Sequence, residues 1–283
     1  MNFLNILNQI SESDPEIFER TNQRRQVIKN LTKGVTAAAL PFVTGALFNK
    51  AYGQTGGGTD TVLDVLNFAL TLEYLEAEFY QKGLAASGLI PSGPAQGAIQ
   101  TIYDHESAHV AFLKAAITGA GGTPVAKPTF DFSGGKGSGN GPFKDVFSNY
   151  DLFLAVSQTL EDTGVRAYKG QAGNLMSNND VLTAALNIHS VEARHASHIR
   201  QMRRARGGAL VAGDIKPWIV GNQSNINSSL VQASYNGEEV TTQAGINIIN
   251  INGKQITGDD ASGAFDEPLT KDQILAIAST FIV

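Results

Sequence analysis

The chain has 283 residues, 42% apolar and 17% charged, with 21 basic and 26 acidic side chains and a net charge of −5. That is enough for one well-buried core with appendages, and it leaves no basic stripe to neutralise phosphates, which excludes a nucleic-acid binder. There is no cysteine, so disulfides, thiolate metal sites and cysteine nucleophiles are excluded. Any metal must be held by oxygen and nitrogen, a donor set that suits iron, manganese or zinc.

Residues 1–53 read as a targeting segment rather than as part of the fold. Arg24-Arg25-Gln26-Val27-Ile28-Lys29 is a paired arginine followed by apolar residues and a lysine. The mildly apolar run from Val35 to Phe48 is interrupted by Pro41 and Gly45 and is shorter than the roughly 18–20 residues that span a bilayer, so no stable membrane span is expected. With Ala51-Tyr52-Gly53 after it, the pattern reads as a twin-arginine export signal cleaved after Gly53, which predicts a periplasmic or cell-envelope protein. Residues 54–59 are a Gly-rich linker.

From residue 60 to 206 the sequence is helical. Apolar periodicity predicts helices over 61–86, 94–118, 143–170 and 179–206. The first and third joins (87–93 and 171–178) are short, whereas the middle one (119–141) is long and rich in Gly and Pro. A long middle crossover carries the chain back along a four-helix bundle. The first helix also echoes the third: Leu72-Glu73 and Leu160-Glu161 are each followed by a tyrosine seven residues after the glutamate, Tyr80 and Tyr168. Residues 207–283 change character. Asn236-Gly237 and Asn252-Gly253 are hairpin-turn signals, and Thr270-x-x-Gln273 opens a short last helix with a capping box. This predicts a small C-terminal extension, a hairpin and a short helix packed on the bundle.

The chemistry lies in two Glu-x-x-His pairs, Glu106/His109 and Glu192/His195, on the second and fourth helices. A spacing of three puts a carboxylate and an imidazole on one helix face, one turn apart. Glu73 and Glu161 complete the set from the first and third helices. Each of these glutamates sits in an apolar stripe, where an uncompensated carboxylate costs several kcal/mol, and two divalent cations would neutralise the group. A single Glu-x-x-His reads better as a solvated face than as a metal site; two of them, with all five histidines of the chain on the same two helices, favour metal. On the first helix Glu76 and Glu78 rival Glu73: Glu76 shares an apolar stripe and Glu78 faces water. His189 and His198 are spare polar groups or partners of the ligands, and His105 faces outward. Tyr80 and Tyr168 share the ligand faces, either hydrogen-bonding ligand carboxylates across the bundle or filling aromatic core positions.

At these residues the chain resembles the ferritin-like superfamily, whose di-iron and di-manganese bundles use this donor set. The phrases Leu-Glu-Tyr-Leu-Glu-Ala-Glu-Phe-Tyr (72–80) and Phe-Asp-Glu-Pro-Leu-Thr (265–270) look more narrowly like exported ferritin-like-domain proteins related to plant desiccation-related proteins. The resemblance implies an all-α ferritin-like core and two iron ions held by Glu73, Glu106, His109, Glu161, Glu192 and His195, reacting with O2 or peroxide. A pair of manganese ions acting as in a catalase, and a non-catalytic stress protein of the envelope, are the alternatives. The extension and the signal depart from cage-forming ferritins and argue against a 24-subunit iron store; a homodimer is one assembly open to the chain.

Overall fold

The computed structural model describes residues 61–283. The export signal and linker expected over 1–59 lie outside the described residues. Four long helices, α1 (Val62–Ala85), α2 (Pro94–Gly119), α3 (Tyr150–Ala172) and α4 (Asn179–Arg206), form an all-α bundle. Their ends follow local chemistry. Thr61 and Asp64 form a capping box at the start of α1, Pro94 opens α2, and the side chains of Asn149 and Asn178 accept the free amides at the starts of α3 and α4. Gly207, at φ 70°, ends α4 in a conformation that side chains avoid. The main pairings are α1 with α2 and α3 with α4, two hairpins joined by the long crossover. Among the described residues no helix is long and apolar enough to cross a membrane.

The third helix starts later than its periodicity predicts. Residues 142–148 are turns, and α3 begins at Tyr150 behind its Asn149 cap. Phe143 and Val146, which mimic a helical stripe, bury themselves from these turns in an aromatic cluster with Phe79, Phe132, Phe153 and Phe281. The crossover itself is tied by Asp131, whose carboxylate accepts the amides of Gly137 and Gly139 at 2.8 and 3.0 Å.

The extension packs on the bundle with a hairpin and a short last helix, but the hairpin turns at neither Asn-Gly pair. Strands β1 (Thr242–Gln243) and β2 (Ile246–Asn247) pair antiparallel. The turn between them is Ala244-Gly245, both at positive φ, as a two-residue hairpin turn requires. Gly237 lies in a turn after a 3-10 helix, and Asn252 sits left-handed inside another. Two further helices follow, α5 (Gly258–Ser262) and α6 (Lys271–Ala278), the latter opened by the Thr270/Gln273 capping box.

The extension explains why α3 is buried all round, without a break from Phe153 to Tyr168. Its outer face carries Gln158, Asp162 and Arg166, which meet groups from α4 and the extension. Arg200 binds Asp162 at 2.5 Å, Tyr235 donates to Asp162 at 2.8 Å, and Arg166 holds Glu238 at 2.6 Å while donating to the carbonyls of Ser234 and Asn236. Arg203 donates to Gln158 and to the carbonyls of Leu210 and Asn225.

Candidate metal centre

Each helix delivers acidic or imidazole groups to the same mid-bundle layer: Glu73 from α1, Glu106 and His109 from α2, Glu161 from α3, Glu192 and His195 from α4. All six are buried, and the four glutamates have no exposed surface at all. They form two overlapping sets, Glu73/Glu106/His109/Glu192 and Glu106/Glu161/Glu192/His195, in each of which the donor atoms lie within 4.8 Å of one another. Glu106 and Glu192 belong to both sets.

Both imidazoles present Nδ1 to the cluster. His109 Nδ1 lies 3.1 Å from Glu73, 3.2 Å from Glu106 and 3.2 Å from Glu192. His195 Nδ1 lies 2.8 Å from Glu106 and 3.2 Å from Glu161. One ring nitrogen carries at most one proton, so it cannot satisfy two or three carboxylates at once. Accordingly Glu106 Oε1 and both oxygens of Glu192 are buried without a hydrogen-bond partner; Glu192 is close enough to His109 for attraction but is not aligned for a bond. Orphaned oxygens on the two shared glutamates are what a pair of cations between them would satisfy.

The protonation energetics show the same deficit. Burial, reinforced by Glu73, pushes Glu106 up to about 7, and burial with the charge of Glu106 raises Glu192 well above the usual carboxylate range. Burial also pushes Glu73 up, but hydrogen bonds from His109 and Tyr168 outweigh it and hold this carboxyl low. Burial would depress both histidines, yet the surrounding carboxylates win: His195 rises to about 11 and His109 is raised further. The chain has packed acids together and left protons, or metal, to balance them.

The tyrosines cross over. Tyr80 of α1 donates to Glu161 of α3, and Tyr168 of α3 donates to Glu73 of α1. This reciprocal pair gives the bundle a rough two-fold symmetry and fixes one oxygen each of Glu161 and Glu73. Of the two possibilities in the sequence, the hydrogen-bonding one holds.

Two residues carry more than their sequence positions suggest. His105 is exposed but does not simply face outward: its Nδ1 lies 2.9 Å from His195 Nε2 and the rings stack. Lying one residue before Glu106, it is turned off the cluster face, and only the α2–α4 packing reveals the contact. Glu76 is also buried, and burial with Glu192 and Glu106 raises its pKa well above the carboxylate range. It borders Gly164, where a Cβ would stand 3.3 Å from Glu76 and 3.4 Å from Glu192. Glu76 therefore adds a fifth buried acid beside the cluster without entering either donor set, and Glu73 is the α1 residue that does. Glu78, expected to face water, is half-buried; it pairs with Lys82 and Lys127 away from the cluster. His189 bonds the Val165 carbonyl at 3.0 Å, and His198 is exposed; neither joins the cluster.

The family model described as a ferritin-like domain matches residues 61–205, the span from the α1 cap to the end of α4. No curated protein matches the chain.

Proposed function

The chain belongs to the ferritin-like domain family, and from that membership we propose that it holds two iron ions and uses them for redox chemistry with O2 or peroxide. The observation that carries this reading is the pair of donor sets sharing Glu106 and Glu192. These two glutamates would serve both ions. Glu73 with His109 would complete one end and Glu161 with His195 the other. When bound, the metal pair supplies the electrons for the chemistry.

The protein's own groups orient and dry the site. Tyr80 and Tyr168 hold one oxygen of Glu161 and Glu73 and leave the other directed at the cluster. His105 backs the far nitrogen of His195, the kind of outer contact that sets ring orientation and tautomer. The same oxygen and nitrogen donors serve manganese.

Loading with Fe(II) without oxygen, followed by O2 or peroxide, should give two ions per chain and a charge-transfer absorption band. Fewer than two ions per chain would end this reading. Metal analysis of protein from its native host, with a test for oxygen release from peroxide, separates iron from a manganese catalase-like activity. Two bound metals without redox chemistry would leave a metal-stabilised stress protein. We also propose, from Arg24-Arg25 and the apolar run after them, that the protein is exported in folded form. Normal export of an Arg24→Lys/Arg25→Lys variant in cell fractions would sink that assignment.

A further inference from the structure

We infer that a cavity at the Tyr168 end of the bundle is a holding site for a dioxygen-sized apolar guest beside the metal centre, an inference that rests on the redox reading above and names O2 as its substrate. The rough two-fold symmetry makes the cavity visible. The spacing that relates Glu73 to Glu161 and Tyr80 to Tyr168 also relates Phe79 to Ala167 and Val65 to Phe153. Likewise the spacing between the two Glu-x-x-His pairs relates Ile99 to Ala185.

At the Tyr80 end the large members of these pairs fill the core. Phe79 and Phe153 stack with centroids 4.9 Å apart and planes 6° apart. Phe153 presses so close to Gly83 that a Cβ there would come within 2.3 Å of the ring. At the Tyr168 end the equivalents are Val65, Ala167 and Ala185, and they line a cavity of about 20 Å³. A single water-sized guest requires roughly 10–15 Å³.

The position and chemistry of the cavity specify the guest. Ala69, Leu113 and Ile188 line it; they stand four residues from Glu73, His109 and Glu192, one helical turn away on the same faces. Tyr168 is also in the wall, with its hydroxyl committed to Glu73, and the oxygen of Gln171 is taken by Asn174 at 2.9 Å. A water needs two to four polar partners, more than the remaining amide nitrogen of Gln171 offers in this wall. Hydrogen peroxide carries the same requirement, whereas O2 does not.

Xenon is the probe. Xenon-pressurised crystals or xenon NMR of the metal-loaded protein should show one bound atom among Ala69, Ala167 and Ala185, and none beside Phe153. Ala167→Phe copies the filled end. It should abolish xenon binding and slow the reaction of the Fe(II)-loaded protein with O2 by about tenfold, with two metals still bound and the peroxide reaction unchanged. Ala185→Ile makes the same test should Ala167→Phe fail to fold. No xenon in the cavity, or an unchanged O2 rate with the cavity filled, would overturn the inference and leave the redox reading standing. A metal-loaded wild type that binds xenon there and reacts with peroxide but not with O2 would overturn the inference alone, and one that reacts with neither would overturn both.

Discussion

The two faces of α3 carry two buried polar clusters that solve the same electrostatic problem in opposite ways. On the outer face Asp162 and Glu238 are matched within the chain by Arg200 and Arg166, with Tyr235, Gln158 and Arg203 completing the network. On the inner face Glu73, Glu76, Glu106, Glu161 and Glu192 gather around two histidines, and among the described residues no Arg or Lys pairs with any of them. Both clusters leave orphan atoms, but Arg200 and Glu238 have one each on groups otherwise engaged, while Glu192 is orphaned at both oxygens. A buried charge left unpaired is costly. Where the chain provides its own cations the cluster belongs to the architecture; where it withholds them, it reserves the place for something else.

The sharpest way to break this contrast is to remove a shared acid. Glu106→Ala should lose both metals rather than one, because Glu106 belongs to both donor sets. Elemental analysis showing two ions still bound would mean that Glu106 does not serve both. On the other face, Arg200→Ala leaves Asp162 buried without its partner and should cost about 3–5 kcal/mol, read from denaturant unfolding. The metal count should stay at two, since Arg200 contacts no member of the cluster. If Arg200→Ala empties the site, the two faces are not independent.

The third prediction uses pH. In metal-free protein the raised carboxyls of Glu106, Glu192 and Glu76 contribute stability while protonated. That contribution is complete below the unfolded value of 4.5 and is lost as pH rises through the folded value, about 7 for Glu106. The raised histidines act in the same direction: their contribution is complete below 6.5 and is lost as pH climbs toward about 11 for His195. Metal needs ionised carboxylates. The gap in melting temperature between metal-loaded and metal-free protein should therefore widen from about pH 5 to about pH 8, reaching roughly 5–10 °C at saturating metal. Coincident melts at about pH 8, with two ions bound, would contradict the account of the inner face. The smallest effect belongs to Glu78→Ala, whose ion pairs with the exposed Lys82 and Lys127 are worth about 1 kcal/mol or less. A change in its metal content would show that α1 faces the site differently.

Much of the inner face was legible in the sequence, because a three-residue spacing on a helix is a statement about geometry. Glu73, Glu106, His109, Glu161, Glu192 and His195 meet where their faces direct them, and Tyr80 and Tyr168 were placed by the repeat alone. The outer face was not legible. Gln158, Asp162 and Arg166 have the polarity of a solvated stripe, and only a partner some 70 residues later, Tyr235 or Glu238, turns them inward. The same limit hid the contact of His105 with His195. The turns at 142–148 escaped because Phe143 and Val146 are buried at helical spacing without a helix, and the hairpin because Ala244 adopts a left-handed conformation that its residue type disfavours.

The burial of α3 separates two boundaries that are usually treated as one. The match to the ferritin-like family stops at residue 205, whereas the covering of α3 requires Tyr235, Glu238 and the carbonyl of Glu267. A fragment trimmed to the ferritin-like match would retain every proposed ligand and yet expose the arginine and aspartate on the outer side of α3, so the span that carries the ligands is shorter than the span that buries the helix presenting them.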